Sequence, residues 1–176
     1  MMAAVNNAAI RGKRNRALGA LFEQMIDAAC RYYRQACIAE IDKSPEPMKP
    51  LGHQNGKGQF LACYMKKAQP DFKGTLKGGN SIVFEAKITS ADKIQQSVVL
   101  EQQAEALERH RKLGAKCFIL VSFDFQKFYR IPWEVWRDMK EIYSRKYIKP
   151  EDVPEYEVKL YRGMLDFLPE AKITQG

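Results

Sequence analysis

Residues 70–87 read PDFKGTLKGGNSIVFEAK, and the second half of that stretch decides the fold. Ser81-Ile82-Val83-Phe84 is a β-branched and aromatic run of the kind that forms a strand. It delivers Glu85 and Lys87 with only Ala86 between them. Successive strand residues point to opposite faces, so Glu85 and Lys87 share a side and Ala86 points away. Ahead of the strand, Asp71 precedes a turn built from Lys73-Gly74 and Lys77-Gly78-Gly79. If Asp71 flanks a neighbouring strand, two carboxylates and one ammonium converge on a small volume. Close carboxylates repel unless a cation sits between them, and an all-oxygen set suits a hard ion, Mg2+ with Mn2+ as substitute.

Pro70-Asp71 followed by Glu85-Ala86-Lys87 resembles the PD-(D/E)xK nuclease motif. The same residues also fit a bland description, an Asp in a turn followed by an ordinary cross-strand Glu and Lys pair. What favours chemistry is the setting, since a carboxylate at the end of an apolar run stabilises nothing by being there.

Working outward, apolar residues recur at helical spacing from about Arg16 to Gln35 (Leu18, Leu21, Phe22, Met25, Ile26, Ala29, Tyr33), which predicts an amphipathic helix. Glu23 lies about 100° round from Phe22, on the border of that stripe. Residues 1–12 are expected to stay disordered until something binds, within a flexible basic arm spanning 1–15. A short strand over Cys37 to Ile41 leads into DKSPEPMKPLGHQNGKG, Asp42 to Gly58, whose prolines and glycines argue against regular structure. Long loops inside domains are usually functional. Being basic and stiffened by proline, this one suits a projecting element that touches DNA. Gln59 to Met65 resumes as a strand.

Beyond Lys87 a helix is expected from about Ala91 to Leu113, ended by Gly114, with Leu100, Gln103 and Leu107 on one face and Glu108 outward or marginal. A buried amide needs a partner, and Gln103 on the apolar side therefore points to a catalytic carboxylate, a metal or a backbone group. KCFILVSF, Lys116 to Phe123, has the continuous apolar character of a central buried strand. Phe128 to Ile131 reads as another strand. Pro132 then opens a helix over WEVWRDMKEIYSRK whose two tryptophans read as core. Arg162-Gly163 between β-prone runs reads as a terminal hairpin within 157–167.

The net charge of +8 is concentrated. Residues 1–16 carry Arg11, Lys13, Arg14 and Arg16 with no acid, and residues 42–77 carry Lys43, Lys49, Lys57, Lys66, Lys67, Lys73 and Lys77 against three acids. Those two segments account for the whole excess, and one of them leads into Asp71. A basic surface beside carboxylates is the pattern of a protein that holds phosphates and cuts between them. The four cysteines (Cys30, Cys37, Cys63, Cys117) form no C-x-x-C pair and read as small buried residues of a reduced cytoplasmic protein. No apolar run approaches the ~20 residues of a membrane span.

The order of elements, together with DFKGTLKGGNSIVFEAKIT, resembles the RecU-type Holliday junction resolvases. Gly19 and Phe22-Glu23 in the first helix, Gln103, the Gly114 to Phe123 strand, Ile131-Pro132 and Leu165-Asp166-Phe167-Leu168 carry the likeness further, over roughly residues 16–168. It implies an α/β fold: a mixed central sheet flanked by helices, the restriction-endonuclease-like (PD-(D/E)xK) core, in one domain over residues 16–170 with a stalk at 42–58 and a short tail at 171–176. It implies that Asp71 and Glu85 bind Mg2+ with help from Gln103 and the Ala86 carbonyl, that Lys87 stabilises the transition state, and that Glu23 is a supporting acid. It further implies a homodimer acting on four-way DNA junctions, with no organic cofactor and no membrane. Gln69 and Gln102 depart from the family pattern, which has a threonine and a histidine there. A nuclease acting on ends, flaps or duplex sites, or a non-catalytic DNA-binding module, are the other functions these residues fit.

Overall fold

The alternation read around Glu85 takes physical form in a computed structural model, which describes residues 2–45, 48–53, 55–64 and 69–168. Helix α1 (Met2–Gln35) leads to β1 (Ala39–Lys43), and a ribbon of β2 (Met48–Pro50) and β3 (Ala62–Tyr64) stands apart from the main sheet. Next come β4 (Phe72–Leu76), β5 (Ser81–Thr89) and β6 (Ile94–Gln95), then α2 (Glu101–Lys112), β7 (Lys116–Phe123) and β8 (Lys127–Pro132). Short elements close the chain: α3 (Trp133–Arg137), α4 (Met139–Tyr143), β9 (Tyr147–Ile148), β10 (Glu157–Val158), β11 (Leu160–Tyr161) and β12 (Met164–Leu165). Six strands make the central sheet in the order β1-β4-β5-β7-β8-β10. Among the described strands only β5 and β7 run parallel, joined by the crossover through α2 that a parallel pair requires. The sheet is therefore mixed and flanked by helices, as the fold class expected.

Each face of the sheet has its own core. Phe72, Phe84 and Phe118 sit on adjacent strands and stack in sequence at 4.9 and 4.6 Å between ring centroids. Such ring pairs add about 0.5–1.5 kcal/mol each beyond the area they bury. Phe22, Ile26 and Tyr33 of α1 cover this face, as does Phe167 from the chain end. The Tyr33 hydroxyl accepts the Phe167 N–H at 2.9 Å, which fastens the terminal segment to α1. On the opposite face Val83, Cys117, Ile119 and Val121 pack with Leu107 of α2 and with Trp133, Trp136 and Met139. The tryptophans are core, as read from their spacing.

Gly74 holds the edge of the sheet together. It pairs with Ile41, and a Cβ placed there would lie 2.1 Å from the Glu40 carbonyl oxygen. Only a residue without a side chain lets β1 close on β4.

Several boundaries differ from the sequence reading. Helix α1 starts at Met2 rather than near Arg16, because the leading residues are rich in alanine and contain no proline, so nothing local stops the helix. The stretch 91–100 is not α-helical and holds only a single 3-10 turn over Gln96–Val98. Ile94–Gln95 pairs with Tyr147–Ile148 instead, tertiary pairing having overridden local preference. Leu100 is consequently the residue before α2 and is exposed. The Trp133 helix divides into α3 and α4 at Asp138, whose carboxylate takes two bonds from Arg137. The proline-rich segment does contain regular structure: Met48 to Pro50 pairs with Ala62 to Tyr64. Pro50 is tolerated at the end of that edge strand. The tip is ordered by Asn55, whose side-chain oxygen accepts the N–H groups of Lys57 (3.0 Å) and Gln59 (2.9 Å). Cys30 and Cys117 are buried, with thiols pushed up to about 12 by that burial. Cys37 and Cys63 are exposed, contrary to expectation, because one lies in the turn after α1 and the other on a ribbon with no core behind it. The terminal hairpin is present, Leu160 pairing with Leu165 and Tyr161 with Met164.

Candidate active site

Strand registers bring the anticipated residues together. Phe72 pairs with Phe84, so the next residues along, Asp71 and Glu85, are also opposite one another, on the face that looks toward α2. They interlock through the backbone: the Asp71 N–H donates to Glu85 Oε1 at 3.2 Å, and the Ala86 N–H donates to Asp71 Oδ2 at 3.1 Å. Lys87, two residues on from Glu85, donates its Nζ to Glu85 Oε2 at 3.0 Å. Gln103, in the first turn of α2, donates its Nε2 to the same Oε2 at 2.6 Å. Its other end, Oε1, accepts from the Leu100 N–H at 3.1 Å and from Lys87 at 3.3 Å. The buried amide thus has the catalytic-type carboxylate as its partner, one of the possibilities its position raised. As placed, Gln103 bridges Glu85, Lys87 and the start of α2, and it turns its nitrogen rather than its oxygen toward the carboxylate.

Electrostatics sets this group apart. Asp71 is 6% exposed, Glu85 0% and Gln103 5%. Burial pushes the Glu85 carboxyl up to about 8, the Asp71 charge pushes it the same way, and Lys87 only partly opposes them. A divalent cation would relieve both causes at once, and the donors present are oxygens of the type such an ion prefers. Asp71, Glu85 and the Ala86 carbonyl are the groups that fit it. Beside Lys87, a cleft of about 470 Å3 opens between α1 and the end of β5, lined by Asn15, Leu18, Thr89 and Ser90 among others.

Other anticipated residues lie further out. Glu23 is on the α1 side, ion-paired with Lys43 at 2.5 Å, and makes no bond to the Asp71–Glu85 group. Lys73 shares the face of Asp71 and donates to Gln69 at 2.8 Å. Lys13, Arg14 and Arg16 are exposed along α1, and Lys49 and Lys57 are exposed on the ribbon. Lys77 is beyond the far end of β4 from Asp71, roughly 20 Å away at about 3.3 Å per residue. Lys66 and Lys67 lie outside the described residues, as does the side chain of Arg11. Ser44, which no motif marks, stands beside Asp71 and donates its backbone N–H to the Asp71 carbonyl at 2.8 Å. Only the strand register shows it.

A search of curated protein sequences finds no match to this chain. Among solved structures, that of Archaeoglobus fulgidus Hjc, a Holliday junction resolvase from an archaeal hyperthermophile, is similar with a TM-score of 0.49 at 11% identity, covering 81% of this chain and 91% of that one. The model of the family described as Recombination protein U matches residues 17–173. With most of its length under that match, the chain belongs to the RecU family.

Proposed function

We propose that this protein is a Mg2+-dependent, structure-selective endonuclease that resolves four-way DNA junctions by phosphodiester hydrolysis in recombination and repair, acting in the cytoplasm as a homodimer. The observation that carries this reading is the convergence of Asp71, Glu85, Lys87 and Gln103 on one face of the sheet, with Lys87 also lining the cleft beside the end of β5. Membership of the RecU family and the basic arm and stalk support it.

Asp71, Glu85 and the Ala86 carbonyl would hold a divalent ion, which would supply Lewis-acid chemistry at the phosphate. The chain does the rest. Lys87 brings positive charge to the phosphoryl oxygens, and its hydrogen bonds to Glu85 and Gln103 hold the Nζ in place before substrate arrives. Gln103 locks the Glu85 carboxylate against α2, so the acid's position depends on the helix start. Lys49 and Lys57 on the ribbon, with Lys13, Arg14 and Arg16 on α1, meet phosphates of the DNA backbone, which position the substrate without reading sequence. Selectivity therefore rests on shape. Symmetric cutting of a four-way junction requires two sites related by a two-fold axis, which is the reason for a homodimer.

Incubation with labelled junction, flap and linear duplex in Mg2+ tests the reading. Paired symmetric nicks in the junction are expected, with the other two substrates spared. Equal cutting of all three would transfer the protein to the general nucleases, and no cutting in Mg2+ or Mn2+ would leave a DNA-binding module.

A further inference from the structure

Ser44 has an unmet need. The residue is 6% exposed, and among the described residues its hydroxyl has no hydrogen-bond partner. A buried hydroxyl left unpaired is costly, and buried polar groups in proteins are nearly always bonded. The backbone of Ser44 does not explain the lapse, because its N–H is well used on the Asp71 carbonyl. The next residue, Pro45, has no N–H to offer the hydroxyl.

Register tells where the hydroxyl looks. Lys43 pairs with Phe72, so Ser44 continues the ladder opposite Asp71, and Asp71 is opposite Glu85. Side chains at opposed positions share a face with Cβ atoms about 5 Å apart. Ser44, Asp71 and Glu85 therefore form one row across three strands, at the root of the stalk. Alternation sends Lys43 the other way, toward Glu23 of α1, which agrees with the ion pair between them. The row is short of charge for a divalent cation: among the described residues no group of three His, Cys, Asp or Glu side chains comes together. Mg2+ demands octahedral oxygen and keeps several waters, and those waters need protein groups to hold them.

We infer that Ser44 is a further positioning residue of the site, its hydroxyl hydrogen-bonding the hydration shell of the cation on the stalk side of Asp71. The inference rests on the nuclease reading above. It assigns a residue at the root of the stalk to the metal site, so that junction engagement by the stalk and cation holding by the sheet meet at one side chain.

Thermal melting of Ser44→Ala, Ser44→Thr and the unaltered protein, each without metal and across a MgCl2 titration, tests it. Without metal, Ser44→Ala should melt at the same temperature or higher, since an unsatisfied hydroxyl has been removed. Its Mg2+-induced rise in melting temperature should shrink, with about tenfold more Mg2+ needed for half the effect, while Ser44→Thr keeps the original response. A merely structural hydroxyl would lower the metal-free melting temperature of Ser44→Ala, and that outcome overturns the inference. An unchanged Mg2+ response in Ser44→Ala overturns it too. If the unaltered protein itself shows no Mg2+ response, the nuclease reading fails first and takes this one with it.

Discussion

Two carboxylates, one on α2 and one facing it from β5, have opposite surroundings. Glu108 sits where α2 meets α3, taking Arg111 at 3.0 and 2.8 Å, the Trp133 indole N–H at 2.8 Å and Arg137 at 3.2 Å. Those donors, Arg111 foremost, pull its carboxyl down to about 2. Glu85 is enclosed, next to another carboxylate and one lysine, and its carboxyl is driven the other way. The joint around Glu108 is complete within the chain. On the nuclease reading a divalent cation would bind the group around Glu85, and that contrast sets the proposed working carboxylate apart from the structural one.

The sharpest break in the comparison is Glu85→Gln, or Asp71→Asn. Either should cut junction cleavage by about a thousandfold or more, in line with losing a main electrostatic group of a site, while a gel shift still shows junction binding. Cleavage at the unaltered rate would falsify the site assignment. Lys87→Met should come next, lowering the single-turnover rate roughly a hundredfold with junction binding intact. Glu108→Ala should do the reverse of both. It should lower the melting temperature by several degrees, where a kcal/mol moves a domain of this size by roughly 3 °C, and leave the Mg2+ requirement of cleavage unchanged.

Acidity sharpens the contrast further. Because the folded Glu85 carboxyl titrates at about 8 against 4.5 when unfolded, the metal-free folded state binds the extra proton and loses stability as pH rises between those values. Melting temperature without metal should fall across that window, the rise on adding Mg2+ should grow across it, and Glu85→Gln should flatten both trends. A metal-free melting temperature that climbs from pH 5 to 8 would show that other groups dominate. The smallest effect on stability is expected from deleting Pro45 to Asn55. The ribbon contributes little to either core, so melting should hardly move while the preference for junction over linear duplex declines. An unchanged preference would detach the stalk from recognition.

The difference between the two carboxylates was half legible in the sequence. Glu85 and Lys87 were readable because a strand's two-residue period is rigid, and Asp71 because a glycine-rich turn set it ahead of that strand. Gln103 stood out as an amide on the buried side of a helix. Glu108 was read as outward or marginal, because its partners Trp133 and Arg137 come from α3, far along the chain, and no local pattern announces them. The same cause hid Ser44, whose neighbour across the sheet is Asp71. It also hid the end of helicity before α2, where β9 claims Ile94. The ribbon was missed for a different reason: prolines and glycines weaken a strand on average, yet Pro50 at its end and Asn55 at its tip are compatible with one.

Gly74 gives the molecule a point of fragility that is easy to misattribute. It is not among the residues proposed to hold the ion or meet DNA, but the missing methyl there is what keeps the outermost strand seated, and that strand leads into Ser44 beside Asp71. An alanine at this position would wedge the strand outward and displace the stalk relative to Asp71 and Glu85. A genetic survey of inactive alleles would accordingly score Gly74 with the carboxylates, although the lesion is one of carpentry and not of chemistry.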